Sequence, residues 1–348
     1  MQRTHQLRQR VSTKKLIELI FDWVKARTTS GEHQSLQRAA DSIQMQEIWI
    51  PVARLHTESE FTVGRVIFKP MTAALFDRWR IEVLARNSEQ AEYISVWFEK
   101  ERKKCQGLAA ATLAIEAERD CAIEVAFAEA DDAVSMLRVL EGANLDPELV
   151  SCCTLLGKHG EEQRNYLLIR DGTLAESGSG FAGVPPPAWL LGKDELAFLM
   201  NSGLSILSSL LASDHRTAFQ ERLLDALRIY SRNGLAREPS DKLIYIVVAL
   251  ESIFVRDNNE NLTANIAERI AFFLSREREG RRRIIEIIRE GYALRSAFLH
   301  HGKKLEDLEA LKRFMDAAFH CMINLIRNAD RFHSVDQLHK AIENERLS

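Results

Sequence analysis

The sequence predicts an N-terminal α+β domain followed by an all-α helical bundle, and three observations carry that reading. Residues 46–70 alternate in polarity: Ile48, Ile50 and Val52, then Phe61 and Val63, then Val66 and Phe68. That period of two belongs to strands with one buried face. Beyond residue 190 the alternation gives way to apolar residues at helical spacing. Between the two lies 172–187, where Ser177, Gly178, Ser179 and Gly180 precede Pro185, Pro186 and Pro187. Flexible and rigid residues mixed in this way read as a linker or an exposed loop.

The elements follow in order. Leu16, Ile17, Leu19, Ile20, Trp23 and Val24 place a helix over 11–27, ended by Thr28-Thr29-Ser30-Gly31. Residues 1–44 then form a helical appendage packed on the body, since a free helix would expose Phe21 and Trp23. Strands follow over 46–70, closed by Pro70, then at 111–116 and at 166–170 before an Asp171-Gly172 turn. A helix over 120–141 carries Ile123, Val125, Phe127, Val134, Met136, Leu137 and Leu140. No βαβ rhythm joins these pieces, so 45–180 is read as one α+β domain.

Residues 190–335 read as helices at 193–212, 216–232, 240–256, 263–276, 281–300 and 305–330. Ser240, between Pro239 and Asp241, is a helix start. Asp257-Asn258-Asn259 is a turn, and Gly302 is placed to stop the fifth helix. Leu305, Leu308, Leu311, Met315, Ala318, Met322, Leu325 and Ile326 line one face of the sixth. Short loops between such helices make an antiparallel bundle.

Composition narrows the function. A chain of 348 residues suggests two domains, and 46% hydrophobic residues supply a real core. A net charge of -3 gives no global basic field, so any nucleic-acid contact must be local. Cys105, Cys121, Cys152, Cys153 and Cys321 form no C-x-x-C pair and read as reduced thiols of a cytoplasmic protein. No apolar run approaches the roughly 18 residues of a membrane span, and no secretory segment opens the chain. There is no P-loop, G-x-G-x-x-G or G-x-S-x-G. His5, His320, His333 and His339 have no partner at ligand spacing, so neither a metal nor a cofactor is expected.

The candidate chemistry sits in Gly291-Tyr292-Ala293-Leu294-Arg295-Ser296-Ala297-Phe298-Leu299-His300-His301, followed by Gly302. Arginine holds a phosphate with a fixed fork of donors, and histidine moves a proton near neutral pH. Together, Arg295 and His300 supply charge stabilisation and acid–base work, much of what metal-free RNA cleavage needs. On a straight helix, residues five apart differ by about 140°, so the two do not share a face. Either the helix ends before His300 and the histidine swings back, or the pair works across an interface between two copies. Arg281, Arg282 and Arg283, with Arg276, Arg278 and Arg289, form the densest positive region and fit an RNA backbone. Glu277, Glu279 and Glu286 make a solvated helix start the competing reading. Lys303 and Lys304, beside the motif, are better placed for phosphate. Glu251 is expected to be exposed or in a structural ion pair with Arg295 or Arg269. Tyr292 is read as packing, and His301 as a cation suited to a helix end.

Three blocks together resemble a known family: Ala249-Leu250-Glu251-Ser252-Ile253-Phe254, Ile266-Ala267-Glu268-Arg269-Ile270-Ala271, and 292–300. They look like successive helices of a HEPN domain of the Apea-like branch, over roughly 195–330. The last block is the specific one. The stretch 46–180 is similar to the domain that often precedes Apea-like HEPN domains in bacteria. The resemblance implies an all-α HEPN-type bundle that forms a homodimer. It implies a metal-independent endoribonuclease in toxin-type or anti-phage defence, with RNA as substrate and a protein or phage trigger. The 2′-hydroxyl would attack its own phosphate, with Arg295 on the phosphate and His300 as acid–base group. Ser296 stands where the family often has Asn, Asp or His, and His301 intervenes before Gly302, so either histidine fits the spacing. Ser296, His301, Tyr292 and Glu251 are supporting candidates. The competing reading is a catalytically inactive HEPN protein that binds RNA, a nucleotide or a protein.

Overall fold

The computed structural model describes residues 10–28, 41–151, 153–158, 163–170, 173–181, 188–256, 262–301 and 305–347; for 26–28, 163–181, 262, 300 and 301 the description is of backbone alone. It shows an antiparallel sheet with its own helices, followed by a helical region, as the sequence predicts.

Helix α1 (Thr13–Thr28) precedes strands β1 (Gln44–Ala53), β2 (Leu55–Thr57), β3 (Phe61–Val63) and β4 (Val66–Pro70). Helices α2 (Ala73–Arg86) and α3 (Ala91–Cys105) lead to β5 (Ala109–Ala117), α4 (Arg119–Val139) and β6 (Thr154–Leu155). The five-stranded sheet runs β3-β4-β5-β1-β6. Alternation assigns its faces. Ile50, Val52, Phe68, Ala111 and Leu113 pack under α4, where Ala126, Ala130 and Ala133 are small enough for close approach. The opposite face, with Trp49 and Ala110, is covered by Phe76 of α2 and Ile94 and Phe98 of α3. The sequence reading did not anticipate the α2–α3 hairpin.

The stretch read as a linker is partly sheet. β7 (Gln163–Arg170) pairs with β8 (Thr173–Phe181), and Arg164 to Leu167 pair with Gly180, Ser179, Gly178 and Ser177 in turn. Pro185, Pro186 and Pro187 lie outside the described residues. β9 (Trp189–Leu191) then returns to pair in parallel with β2. A backbone ladder asks only for extended residues, so Ser and Gly can join it where local composition suggests a loop.

Lys193–Ala212 forms α5 (Lys193–Leu199) and α6 (Ser205–Ala212), joined through a kink at Met200–Leu204 where Gly203 takes a φ of 137°. Against expectation, this run is long and apolar enough to cross a membrane by length and composition. Its Leu199, Leu204, Leu207 and Leu210 are buried in the core. The Ser208 hydroxyl accepts from Gly64 N at 3.0 Å, joining α6 to the β3–β4 turn. Then come α7 (Ala218–Tyr230), α8 (Pro239–Phe254), α9 (Leu262–Leu274), α10 (Arg278–His301), α11 (Leu308–Arg327) and α12 (Val335–Leu347). Thr217 and Gln220 close a capping box on α7, and Asp307 caps α11 through Ala310 N at 2.9 Å. The sequence reading missed α12 and began α11 at 305.

One hydrophobic cluster runs from the sheet (Val52, Phe68) through α4 into α7, α8 and α11 (Leu223, Leu250, Phe314). Polar links cross the same boundary. The buried Arg138 guanidinium donates to Cys153 O at 2.5 Å and Ser231 O at 2.9 Å. Arg228 grips both carboxylate oxygens of Asp132 at 2.8 Å. Lys242, fully buried on α8, donates to Ala143 O at 3.1 Å and Leu149 O at 2.7 Å. Burial holds its ammonium down at about 8, against the pull of Asp146 and Glu141.

Helix α1 packs less than expected. Val11 and Leu19 are buried, but Phe21 is 71% exposed and Trp23 40%. The helix is held chiefly at its start, where the Glu118 carboxylate accepts from Ser12 N at 3.2 Å and also from Asp120 N and Cys121 N. Burial pushes that carboxyl up, but these hydrogen bonds outweigh burial and hold it below its ordinary value.

Candidate functional site

Helix α10 carries the motif and stays helical through His301. The expectation that the helix ends before His300 is therefore corrected. Positions 295 and 300 lie about 140° apart and one to two turns along a continuous helix. Ile288, Gly291 and Tyr292 are buried and mark its inner side. Arg295 falls on that side, half-buried at the motif end. Position 300 falls on the opposite side, in line with exposed Arg282, Glu286, Arg289 and Ala293. Ser296 is exposed on the flank between them. The His300 and His301 side chains, and Lys303 and Lys304 entirely, lie outside the described residues.

Gly291 explains how α10 packs. A Cβ there would stand 2.2 Å from the Phe314 ring of α11. The glycine lets the two helices meet closely just before the motif. A lone glycine in a helical pattern was the sequence signal for this contact.

Tyr292, Glu251 and Arg295 share one electrostatic neighbourhood. Burial and then the Glu251 carboxylate push the Tyr292 phenol far above its ordinary value, and Arg295 pulls it down. Neither Tyr292 Oη nor Glu251 Oε1 has a hydrogen-bond partner of good geometry, though both atoms are buried. The two groups interact without a well-formed bond. The expected ion pair of Glu251 is not formed among the described residues. Arg269 turns instead to the end of α8 and donates to Phe254 O at 2.6 Å. On the same helix end, His339 of α12 meets Ile253 O through Nε2 at 3.0 Å. Two long donors thus satisfy carbonyls that the helix leaves open.

The arginine cluster divides. Arg281 lies over the Phe272 ring at 4.1 Å and donates to Ser275 O at 2.8 Å and Glu345 at 3.2 Å. Two nitrogens of its fork are engaged within the fold, which leaves it less free for a phosphate than Arg282 and Arg283. Arg282 and Arg283 are exposed, with only loose pairs to Glu279 at 4.0 and 3.8 Å. Arg289 is exposed and makes no ion pair among the described residues. The outer side of α10 therefore offers Arg282, Arg283 and Arg289, with small Ala293 and Ser296 toward the motif.

Among the described residues, no group of three His, Cys, Asp or Glu side chains is arranged to hold a metal ion. No family model matches this chain, and neither does any curated protein or solved structure.

Proposed function

We propose that this chain is a metal-independent endoribonuclease of the Apea-like HEPN kind, active as a homodimer and used in toxin-type or anti-phage defence. The observation that carries the reading is the outer side of α10. One stripe joins Arg282 and Arg289, with Glu286 between them, through Ala293 to position 300. Small residues permit a second helix to approach, and the cations suit a phosphate backbone. A two-fold pair of α10 helices brings the outward position 300 of each copy toward the other. It thereby supplies across the interface what 140° denies within one chain.

In this reading His300 takes the proton of the RNA 2′-hydroxyl as its oxygen attacks the neighbouring phosphorus. The 5′-oxygen leaves and receives a proton, and the product ends are a 2′,3′-cyclic phosphate and a 5′-hydroxyl. Arg295 stabilises the charge that develops on the phosphate. Tyr292 and Glu251 lie in the same electrostatic neighbourhood as Arg295, on its buried side. The sheet and its helices act as sensor or specificity module.

The inward, half-buried setting of Arg295 favours a second reading, a non-catalytic HEPN protein that binds RNA, a nucleotide or a protein. Cleavage of end-labelled RNA in EDTA separates the two. The proposal expects cyclic-phosphate products, and a loss of about 10²–10⁴-fold for His300→Ala, the usual worth of an acid–base group. Arg295→Ala should fail likewise, and His301→Ala should cost much less. RNA binding without cleavage would select the second reading.

A further inference from the structure

Helix α3 is apolar on two sides, and among the described residues only one has a partner. Ile94, Phe98 and Cys105 face the sheet and are buried. Tyr93, Val96 and Trp97, at spacing i, i+3, i+4 on the other side, are 71%, 65% and 46% exposed. Ile81 of the neighbouring α2 adds a fourth exposed apolar side chain. Scattered exposed apolar residues need no account, but a contiguous helical strip is the mark of a contact surface.

Charge at the two ends of the strip identifies what covers it. Glu92 lies in the first turn of α3 with Glu89 in the turn before it, and Lys100, Lys103 and Lys104 outnumber Glu99 and Glu101 at its end. Glu89, Glu92 and the three lysines make no ion pair among the described residues, whereas Arg102 on the inner side is bound to Asp77 at 3.2 Å and Gln106 at 2.7 Å. Acidic start and basic end also suit the dipole of α3 itself. The dipole does not account for the apolar strip between them.

We propose that this strip is a self-complementary contact with a second copy of the chain, the two α3 helices lying antiparallel about a two-fold axis near Val96 and Trp97. Antiparallel placement sets Glu89 and Glu92 of one copy level with the Lys100, Lys103 and Lys104 end of the other. Parallel placement would align like charges. A two-fold contact requires the same patch on both copies, and this patch is its own complement. Four side chains fall short of the roughly 800 Å² per partner that a stable interface buries, so the contact is weak alone. It lies on a different element from α10 and does not depend on the reading of that helix.

The test uses the full chain. Val96→Cys sits at the axis, so mild oxidant should cross-link it into a covalent dimer well ahead of the exposed control Arg119→Cys. In sedimentation, Glu92→Lys alone, or Lys100→Glu with Lys103→Glu, should weaken self-association on the order of tenfold. Combining all three should restore it, because both sides of each pair are then reversed. All four positions are exposed, and unchanged melting confirms that the variants fold. Cross-linking at the control rate together with unchanged sedimentation of Val96→Asp would overturn the proposal. So would flotation of the wild-type chain with anionic phospholipid vesicles, abolished by Val96→Asp, which would give the strip to a lipid surface.

Discussion

Gly291 and His339 show how single residues set this molecule's tolerances. A methyl group at 291 cannot be placed without moving a fully buried phenyl ring or a helix. Gly291→Ala should therefore destabilise the chain by about 1–3 kcal/mol, the usual cost of overpacking, despite alanine's better helix propensity. Denaturant melts read the loss, and Ala293→Ser, on the exposed side of the same helix, is the neutral comparison. His339 is buried, and burial first, then the cations Arg269 and Arg256, hold its imidazole below its ordinary value. Below about pH 6.5 the unfolded chain takes up this proton before the folded chain does. Stability should then fall as pH drops from that point toward the lower folded value. His339→Gln keeps a donor for Ile253 O but cannot titrate. The difference in melting temperature between the two proteins should narrow on acidification, and a constant difference would remove His339 from the pH response.

Among the elements, α1 and α4 depend on one carboxylate. Glu118 caps α4 through two backbone amides and ties the start of α1 through a third. Glu118→Ala should cost about 1 kcal/mol in global stability, as the loss of a cap does. Its local effect should be larger, because among the described residues the start of α1 carries most of its hydrogen bonds to the body. Trypsin cleavage at Lys14, Lys15 and Lys25 in α1 should accelerate before the rest of the chain becomes sensitive. Equal protection in the variant would mean that Val11 and Leu19 suffice. Element identity was legible wherever apolar residues kept one period, as in the β1 and β4 strands, α4 and the helices from 216 to 327. The α2–α3 hairpin was not legible, because Ile81, Tyr93, Val96 and Trp97 add a second apolar side and blur the period.

Across the molecule, the shared core decides how separable the two halves are. Leu223 and Leu227 belong to the same cluster as Val134 and Leu137 of α4. Arg138 and Lys242 carry buried hydrogen bonds across the junction. A fragment of residues 190–348 would expose that apolar surface and leave Lys242 without its carbonyl partners. It should melt without cooperativity or aggregate, unlike the full chain, and circular dichroism with scanning calorimetry would show it. A sharp, reversible melt of the fragment would establish the helical region as an independent unit. Arg138→Leu tests the same junction gently, leaving carbonyls unsatisfied at about 1–3 kcal/mol each.

Residue order alone was enough to establish that an α+β part precedes a helical part, and that Arg295 lies on a helix there; only the structure carried that helix on through position 300. The first two follow from local periodicity, which needs no knowledge of partners. Which way the surfaces point came from packing. Arg295 turns inward because Gly291 and Tyr292 pack α10 on its neighbours. Arg281 is taken up by Phe272 and Glu345, and Phe21 stays outside because α1 is held mainly at its start. The Ser/Gly run joins a ladder through its backbone, which side-chain composition does not report. Facing is set by contacts between residues distant in the chain, and local spacing carries no record of them.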